Sequence, residues 1–145
     1  MDYMASFDIS ASGMAVEKMR LDIMAMNLAN ANSTRGPDGE VYKPLKVVSA
    51  ARTAQFENEL AKYGSTNLSG AEIVDVLPVD KEPRIVFDPN HPDADERGYV
   101  RYPNINTVAE MMVLIEATRA YEANVKAMNA AKSMALRALE IGSSR

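Results

Sequence analysis

The side chains best suited to chemistry lie in one short acidic stretch, residues 88–98, around the chain's single histidine, His91. Histidine and carboxylate groups are the types that bind metal ions or transfer protons. Two prolines in the same stretch stiffen the backbone, and Asp and Asn in such a setting bond to nearby backbone groups and form turns. The pattern therefore favours a solvated turn over a metal site held by one histidine and flexible carboxylates.

A calcium loop is the sharper interpretation of this stretch. Asp93 and Asp95, followed by Gly98, have the spacing of the first half of such a loop. Arg97 occupies a ligand position, however, and Asn104 stands where the loop requires a bidentate glutamate. Ligand count and charge both fail, so no metal site is predicted.

Other catalytic groups are scarce along the chain. It has no cysteine, which excludes disulfides, thiolate metal sites and thiol catalysis. It contains neither a GxSxG nucleophile elbow nor a P-loop. Gly36 and Gly39 flank an acidic residue and precede no helical pattern, so they are not predicted to cradle a phosphate. We therefore expect no enzyme activity, no cofactor and no small-molecule substrate.

Composition divides the 145 residues into two similar ends and a different middle. All ten methionines lie in residues 1–35 or 104–145, whereas all seven prolines lie in residues 37–103. The middle, residues 36–103, carries twelve acidic and eight basic residues and so accounts for the whole net charge of -4. This distribution predicts an N-terminal helix in residues 1–35 and a C-terminal helix in residues 104–145 around an inserted module. A slightly acidic chain also argues against nucleic acid as a main partner.

Residues 107–141 form the longest segment without Gly or Pro and predict a helix. Thr107 and Glu110 have the spacing of a capping box at its start, and Gly142 offers a stop. At about 1.5 Å per residue the helix would be roughly 50 Å long, so it is expected to protrude from a small domain. Its apolar side chains recur at spacings of three and four, which is typical of a coiled-coil-like seam. The seam residues expected to form an assembly interface are Met111, Leu114, Tyr121, Val125, Met128 and Leu139.

Residues 7–31 predict a second helix, with Ser6 or Asp8 as its cap. Gly13 costs this helix roughly 1 kcal/mol relative to Ala, so its first turns should fray unless partner helices order them. We therefore expect the free monomer to contain less helix than an assembled form. An ordinary amphipathic core helix explains the apolar spacing equally well. Four apolar residues seven apart complete the expected assembly interface: Phe7, Met14, Leu21 and Leu28.

Short strands separated by turns are predicted in the middle of the chain, at residues 41–48, 73–77, 84–87 and 99–101. Pro44 would confine the first strand to a sheet edge. Residues 50–62 fit either a short helix or an insertion. The predicted fold is therefore α+β: long N- and C-terminal helices pair in a coiled-coil-like bundle, and a small irregular β-rich module, residues 36–103, is inserted between them.

The end of the first helix carries three asparagines within six residues, Asn27, Asn30 and Asn32. Asn tolerates left-handed backbone and bonds nearby backbone groups, so locally the segment indicates a helix C-terminus leading into a turn. The run Asn27-Leu28-Ala29-Asn30-Ala31-Asn32, followed by Ser and Thr, also resembles the signature of bacterial flagellar rod and hook proteins. That resemblance implies that the turn fixes where the N-terminal helix ends and the outer module begins.

A second group of motifs resembles the C-type proximal rod subunits, the FlgC family. The match covers most of the chain but not residues 49–82, and Lys43 with Pro44 departs in part from the family pattern. By this resemblance the 88–98 loop is a hinge into the last helix. The residues that carry it are the 88–95 stretch, Gly98-Tyr99-Val100, Tyr102-Pro103-Asn104-Ile105-Asn106, Glu110-Met111, Arg119-Ala120-Tyr121 and Ala123-Asn124.

The resemblance implies a structural subunit of the flagellar basal-body proximal rod. In that family the terminal helices line the axial core of a tube that transmits torque and forms the wall of the export channel. The implied partners are sister subunits, other rod proteins, the membrane ring with its adaptor, and the flagellar type III export apparatus. Export by that route needs no cleaved signal peptide, and the rod spans the periplasm. The alternative is a soluble helical chaperone or coiled-coil adaptor, which has no reason to carry both groups of motifs.

Overall fold

Six elements follow one another along the part of the chain that the computed structural model describes, residues 3–36, 38–52 and 70–143. They are α1 Tyr3–Ala29, β1 Leu45–Ala51, β2 Ala71–Pro78, β3 Arg84–Phe87, β4 Tyr99–Tyr102 and α2 Thr107–Ser143. β1 pairs with β2 and β3 pairs with β4, both antiparallel, to give a first and a second two-stranded sheet. The predicted α+β fold, with long terminal helices around a small β module, is confirmed.

The two helices pack side by side in opposite directions. Asn27 near the end of α1 donates a hydrogen bond to Glu110 near the start of α2. Gly13, near the start of α1, lies so close to Asn124 of α2 that an added Cβ would be 2.9 Å from the Asn124 amide nitrogen. Gly13 and Asn27 are two heptads apart, as are Glu110 and Asn124. The two contacts therefore keep one register over roughly 21 Å of helix.

α2 is the longer helix, with 37 residues against 27 in α1. If the same register continues, Tyr3 lies opposite Met134, and the last turns of α2 extend beyond the described start of α1. Leu136 and Leu139 in this extension are 51% and 70% exposed. Within the described parts of the chain, neither helix has a stretch apolar enough to span a lipid bilayer.

The start of α2 differs from the predicted capping box. The Asn106 side-chain oxygen accepts hydrogen bonds from the backbone N–H groups of Val108 and Ala109, at 3.1 and 3.2 Å, so Asn106 is the N-cap. Thr107 is already inside the helix. The carboxylate of Glu110 accepts a hydrogen bond from Asn27 of α1. This tertiary contact replaces the capping-box bond that was predicted within the first turn of α2.

The other helix ends also differ from prediction. α2 continues through Gly142, because this glycine keeps helical backbone angles and a glycine stop requires the left-handed conformation. α1 begins at Tyr3, so Ser6 and Asp8 lie within the helix instead of capping it. It ends at Ala29, two residues before the predicted Ala31.

The first sheet lies against α1 through one face. Val47 of β1 is buried with Ile23 and Met24 of α1, and Leu114 of α2 packs against the same cluster. The predicted strand at residues 41–48 begins later, at Leu45, and runs on to Ala51. The preceding Pro44 has no N–H for a ladder, although its carbonyl accepts a bond from Val79. Residues 50 and 51 belong to β1, so the segment predicted as a short helix or an insertion, residues 50–62, begins as strand. From residue 53 onward that segment lies outside the described residues.

The second sheet is a short hairpin that corrects the hinge prediction. Residues 88–98 connect β3 to β4, and the N–H of Asp88 donates to the Gly98 carbonyl at 2.9 Å across the base of the loop. Gly98 has a φ of 79°, and a Cβ there would meet Phe87 and Pro89 at 3.0 and 3.1 Å, so the turn requires glycine. The passage into α2 is made by residues 103–106 instead.

Candidate assembly surfaces and the joint between helices and strands

Asn27 joins three separate segments of the chain. Its side chain is almost fully buried, with 1% of the residue exposed. Its oxygen accepts hydrogen bonds from the Tyr42 hydroxyl and the Leu45 N–H, both at 2.9 Å. Its nitrogen donates to the Leu45 carbonyl at 2.9 Å and to the Glu110 carboxylate at 3.3 Å. All four bonding positions of the amide are filled, and we call Asn27, Tyr42, Leu45 and Glu110 the Asn27 joint.

Within the joint, the Tyr42 hydroxyl is affected both by burial and by the charge of Glu110. Burial raises the pKa of the Tyr42 hydroxyl, and the negative charge of Glu110 raises it further. The neutral hydroxyl therefore remains a donor to Asn27 over a wide pH range. A buried polar network with every member satisfied is rigid, and removal of one member leaves its partners without hydrogen bonds. The joint thus holds the end of α1, the start of β1 and the start of α2 in one arrangement.

The turn after α1 is built from the remaining polar residues of the asparagine-rich motif. The Asn30 side chain donates to the Met26 carbonyl at 2.9 Å and accepts from the Ser33 hydroxyl at 3.2 Å. Thr34 donates to an Asp93 oxygen at 2.7 Å, which connects this turn to the β3–β4 loop. Asn32 is exposed. Local chemistry therefore closes the helix, while Asn27 and Thr34 make the tertiary connections.

The acidic β3–β4 loop uses its polar groups to hold its own backbone. Asp95 accepts hydrogen bonds from the N–H groups of Tyr99 and Arg97, at 2.8 and 2.9 Å. The Tyr99 bond is the main cause that lowers the pKa of Asp95, with Arg97 adding to it. His91 accepts from the Asp93 N–H at 3.1 Å through Nδ1. Within the described residues, no group of three or more His, Cys, Asp and Glu side chains is placed to hold a metal ion.

An open cleft of about 680 Å³ lies between the turn after α1, the β2–β3 connection and the β3–β4 loop. Two ion pairs lie along it, Arg35 with Asp93 at 3.7 Å and Lys43 with Asp80 at 3.9 Å. These pairs join segments across the cleft and leave no cluster of convergent reactive groups among the described residues. The cleft is therefore a seam between parts of the module, in which charges neutralise one another.

The interface between the helices is lined by small side chains. Ala117 and Ala131 of α2 are 2% and 4% exposed, and they are seven residues on either side of Asn124. Ser10 of α1 is also buried, and Gly13 faces Asn124. Small residues allow two backbones to approach closely. Sequence reasoning missed this series because it followed large apolar side chains, although the seven-residue spacing of Ala, Asn and Ala was a visible signal.

Comparison with known proteins identifies the family. The family described as "Flagellar basal body rod FlgEFG protein C-terminal" matches residues 96–141. The flagellar basal-body rod protein FlgC of Escherichia coli is 38% identical over 136 residues, which cover 94% of this chain and 95% of the relative. FlgC of Bacillus subtilis is 38% identical over 144 residues, 94% and 96% of the two chains. The chain belongs to the FlgC family. FlgC of Aquifex aeolicus is 36% identical over 142 residues, 97% of both chains.

FlgC-family membership confirms the predicted resemblance and the predicted function at the level of a structural subunit of the flagellar basal-body rod. The motif residues that suggested the family have identifiable places in the structure. Asn27 and Asn124 lie at the two described contacts between the helices. Pro103 is buried, and the Asn104 side chain donates to the Glu82 carbonyl at 3.1 Å. Asn104 thus fixes the passage into α2 against the β2–β3 connection.

The ten residues expected to form the assembly interface of this FlgC-family chain all retain accessible surface. Seven are half-buried, and three are exposed: Met111 at 52%, Tyr121 at 36% and Leu139 at 70%. Their role as an interface between subunits stays a prediction. The half-buried residues are Phe7, Met14, Leu21, Leu28, Leu114, Val125 and Met128.

A further apolar stripe on α2 was not predicted as a site. Val108, Met112 and Ile115 recur at spacings of four and three and are 66%, 67% and 52% exposed. Residues at such spacings share one face of a helix. This face looks away from the pairing with α1, because Glu110 and Ala117 occupy the paired face. We call these three residues the α2 stripe.

Proposed function

We propose that the chain polymerises through α1 and α2 into the stiff tube of the proximal rod. The α2 stripe is the observation that carries this proposal. Three large apolar side chains exposed on one helix face mark a site of protein contact, because water contact with such surface is unfavourable. Packing against the helices of neighbouring subunits would bury the stripe together with Met111 and Leu139.

The charge distribution supports an axial place for the helices and an outer place for the module. Residues 1–35 carry four acidic and three basic groups, and residues 104–145 carry four and five. Nearly neutral helices can stack repeatedly without accumulating like charge. Residues 36–103 hold the excess negative charge and would face outward. Methionines on the helices accommodate slightly different neighbours, because the side chain is flexible and polarizable.

A rod requires an interface that does not close on itself. Contacts between two different surfaces of successive subunits continue into a helical assembly, whereas a two-fold contact stops at a dimer. The paired helices would give such a tube stiffness, so that it transmits torque and forms the wall of the export channel. The role is structural.

Membership of the FlgC family supports a proposed set of partners. They are sister subunits, other rod proteins and the adaptor that joins the rod to the membrane ring. The flagellar type III apparatus would export the chain without a cleaved signal peptide to a rod that spans the periplasm. Helices that complete their order only on assembly suit transport through a narrow channel. The proposal includes no nucleic-acid or small-molecule partner.

The test combines a deletion strain with a matched pair of variants. Deletion should abolish swimming, and basal bodies purified from the complemented strain should contain the chain. Replacing both Met112 and Ile115 with Asp should keep the protein expressed but exclude it from rods, because charges cannot be buried at a helix contact without a partner. Asn90→Asp, at an exposed turn position, should leave incorporation intact. Normal motility of the deletion strain would overturn the proposal.

A further inference from the structure

The outer face of the second sheet is apolar and aromatic. Ile85 and Phe87 of β3 are each 63% exposed, and Tyr99 of β4 is 43% exposed. Phe87 and Tyr99 are cross-strand partners with ring centroids 5.3 Å apart in an edge-to-face arrangement. The opposite face of the sheet holds Val100, which is fully buried. One face of the sheet is therefore packed in the interior, whereas its aromatic face is exposed to solvent.

Two arginines lie beside this aromatic face. Arg101 is the cross-strand partner of Ile85, and Arg97 lines a shallow depression of about 370 Å³ with Ile85, Asp95, Tyr99 and Arg101. Asp95 uses one carboxylate oxygen for two backbone N–H groups. Within the described residues, neither arginine forms an ion pair with a carboxylate. Aromatic and arginine side chains around a small depression are the composition of an interface centre.

The outer face of the first sheet has the complementary composition. Val74 and Leu77 of β2 are 59% and 48% exposed, while the other face of this sheet packs on α1. Glu72 and Asp75 lie on the same strand, are exposed and form no ion pair with a described residue. Lys46, opposite Leu77, is the one basic residue on this sheet. The outer face of the first sheet therefore has two carboxylates and one basic group, whereas the outer face of the second sheet has two arginines and one carboxylate.

We propose that the outer face of the second sheet of one subunit binds the outer face of the first sheet of a second copy. Val74 and Leu77 pack on the aromatic pair and into the depression, and Glu72 and Asp75 face Arg97 and Arg101. Because the two faces differ, the contact is heterologous and continues from copy to copy. The contact rests on the proposed rod assembly, since each face is small and gains strength when packed helices bring neighbouring modules together.

The absence of cysteine from the natural sequence makes a disulfide test clean. Cells would co-express two single-cysteine chains, Val74→Cys and Phe87→Cys, and rods would be purified under oxidation. A disulfide requires Cα atoms about 6 Å apart, so only facing residues react. A dimer on a non-reducing gel is expected from the co-expressing cells and not from cells with either chain alone. Arg97→Glu with Arg101→Glu in the Phe87→Cys chain should abolish that dimer.

Two further variants make the result specific. Glu72→Arg with Asp75→Arg in the Val74→Cys chain should restore the dimer lost by arginine reversal. Arg84→Glu, on the other face of β3, should leave the dimer unchanged. Rods that assemble without the dimer would overturn this contact and leave the proposed function standing. A dimer from one cysteine chain alone would overturn the heterologous arrangement, and absence of the chain from rods would overturn both proposals.

Discussion

At the scale of single residues, Asn27 carries more of the fold than its sequence context indicates. A sequence rich in asparagine at a helix end predicts local turn chemistry, and Asn30 does perform it. Asn27 instead turns inward and bonds to groups 15, 18 and 83 residues away. A neutral amide with two donors and two acceptors is the one side-chain head group of this size that satisfies all four contacts.

The joint predicts a strong effect of a nearly isosteric change. Asn27→Asp removes both donors and places a second carboxylate beside Glu110, so the free energy of unfolding should fall by about 2–3 kcal/mol. Urea denaturation followed by tyrosine fluorescence measures it. Adding Glu110→Gln should recover part of the loss, because it removes the repulsion. Asn32→Asp at the exposed end of the same motif should change stability by less than about 0.5 kcal/mol. Equal losses at both asparagines would contradict the joint.

Tyr42 predicts a change of stability at high pH. Burial and the negative charge of Glu110 raise the pKa of the Tyr42 hydroxyl above its ordinary value of 10.0, so the folded state holds the proton more tightly than the unfolded state. Its contribution is therefore fully present below pH 10 and is lost as the pH rises through the folded pKa. Denaturation below and above pH 10 should show that the free energy of unfolding decreases less for Tyr42→Phe than for the natural chain. If the free energy of unfolding fell equally with pH in both proteins, Tyr42 would not be the group whose pKa is raised.

At the scale of elements, close helix packing explains a glycine that local propensity disfavours. Gly13 lowers the intrinsic stability of α1, but its missing side chain admits the Asn124 amide. The contact lies two heptads from the Asn27 joint and repeats its register. The helix pair is thus fixed at two polar positions, with small residues such as Ala117 between them.

A double-mutant cycle tests this contact. Gly13→Ala should gain less than the roughly 1 kcal/mol that helix propensity alone provides, because the new Cβ would crowd Asn124. In the Asn124→Ala background the same change should gain the full amount. Thermal denaturation gives the coupling between the two sites. Ala15→Gly, at an exposed position of α1, calibrates the cost of glycine in this helix. Additive effects at Gly13 and Asn124 would show that they do not touch.

At the scale of the whole molecule, the buried core is small for the length of the helices. Buried apolar side chains form a cluster where α1, α2 and the first sheet meet, at Ile23, Met24 and Val47. Near the end of α2, away from this cluster, Met134 and Leu139 are 52% and 70% exposed. Stability should therefore decline along the helix pair away from the Asn27 joint.

Hydrogen exchange of the free monomer tests that decline. Amide protection should be strongest around Asn27 and Leu45 and should fall beyond Gly13 in α1 and beyond Asn124 in α2. In assembled rods the same amides should become protected, because neighbouring subunits cover them. Uniformly strong protection of both helices in the monomer would contradict an assembly-dependent ordering.

Charge substitutions on the helices test the assembly interface in cells. Leu21→Asp and Val125→Asp each place a carboxylate at a half-buried apolar position, so rod formation and swimming should be lost. Expression should remain near the natural level by immunoblot. Full motility of either variant would remove that residue from the interface.

The order of elements and the helical segments followed directly from the sequence, because apolar periodicity and turn residues depend on neighbours a few positions away. Residues 84–87 form a strand as predicted, and Gly98 makes the turn that its residue type permits. Helix ends were less predictable, since Asn106 and Thr107 can both act as an N-cap. Glu110 bonds to the distant Asn27 and not to the residue at the helix start, and Asn106 is the cap.

The helices, the turn-rich acidic middle and, through the motifs, the family can all be recognised from the residues alone. Three features require the three-dimensional packing: the 88–98 loop closes a hairpin, Asn27 bonds to Glu110, and Ala117 and Ala131 lie in the helix interface. Local structure responds to the nearest residues, whereas these three features depend on which distant segments approach closely enough to exclude water and complete one another's hydrogen bonds.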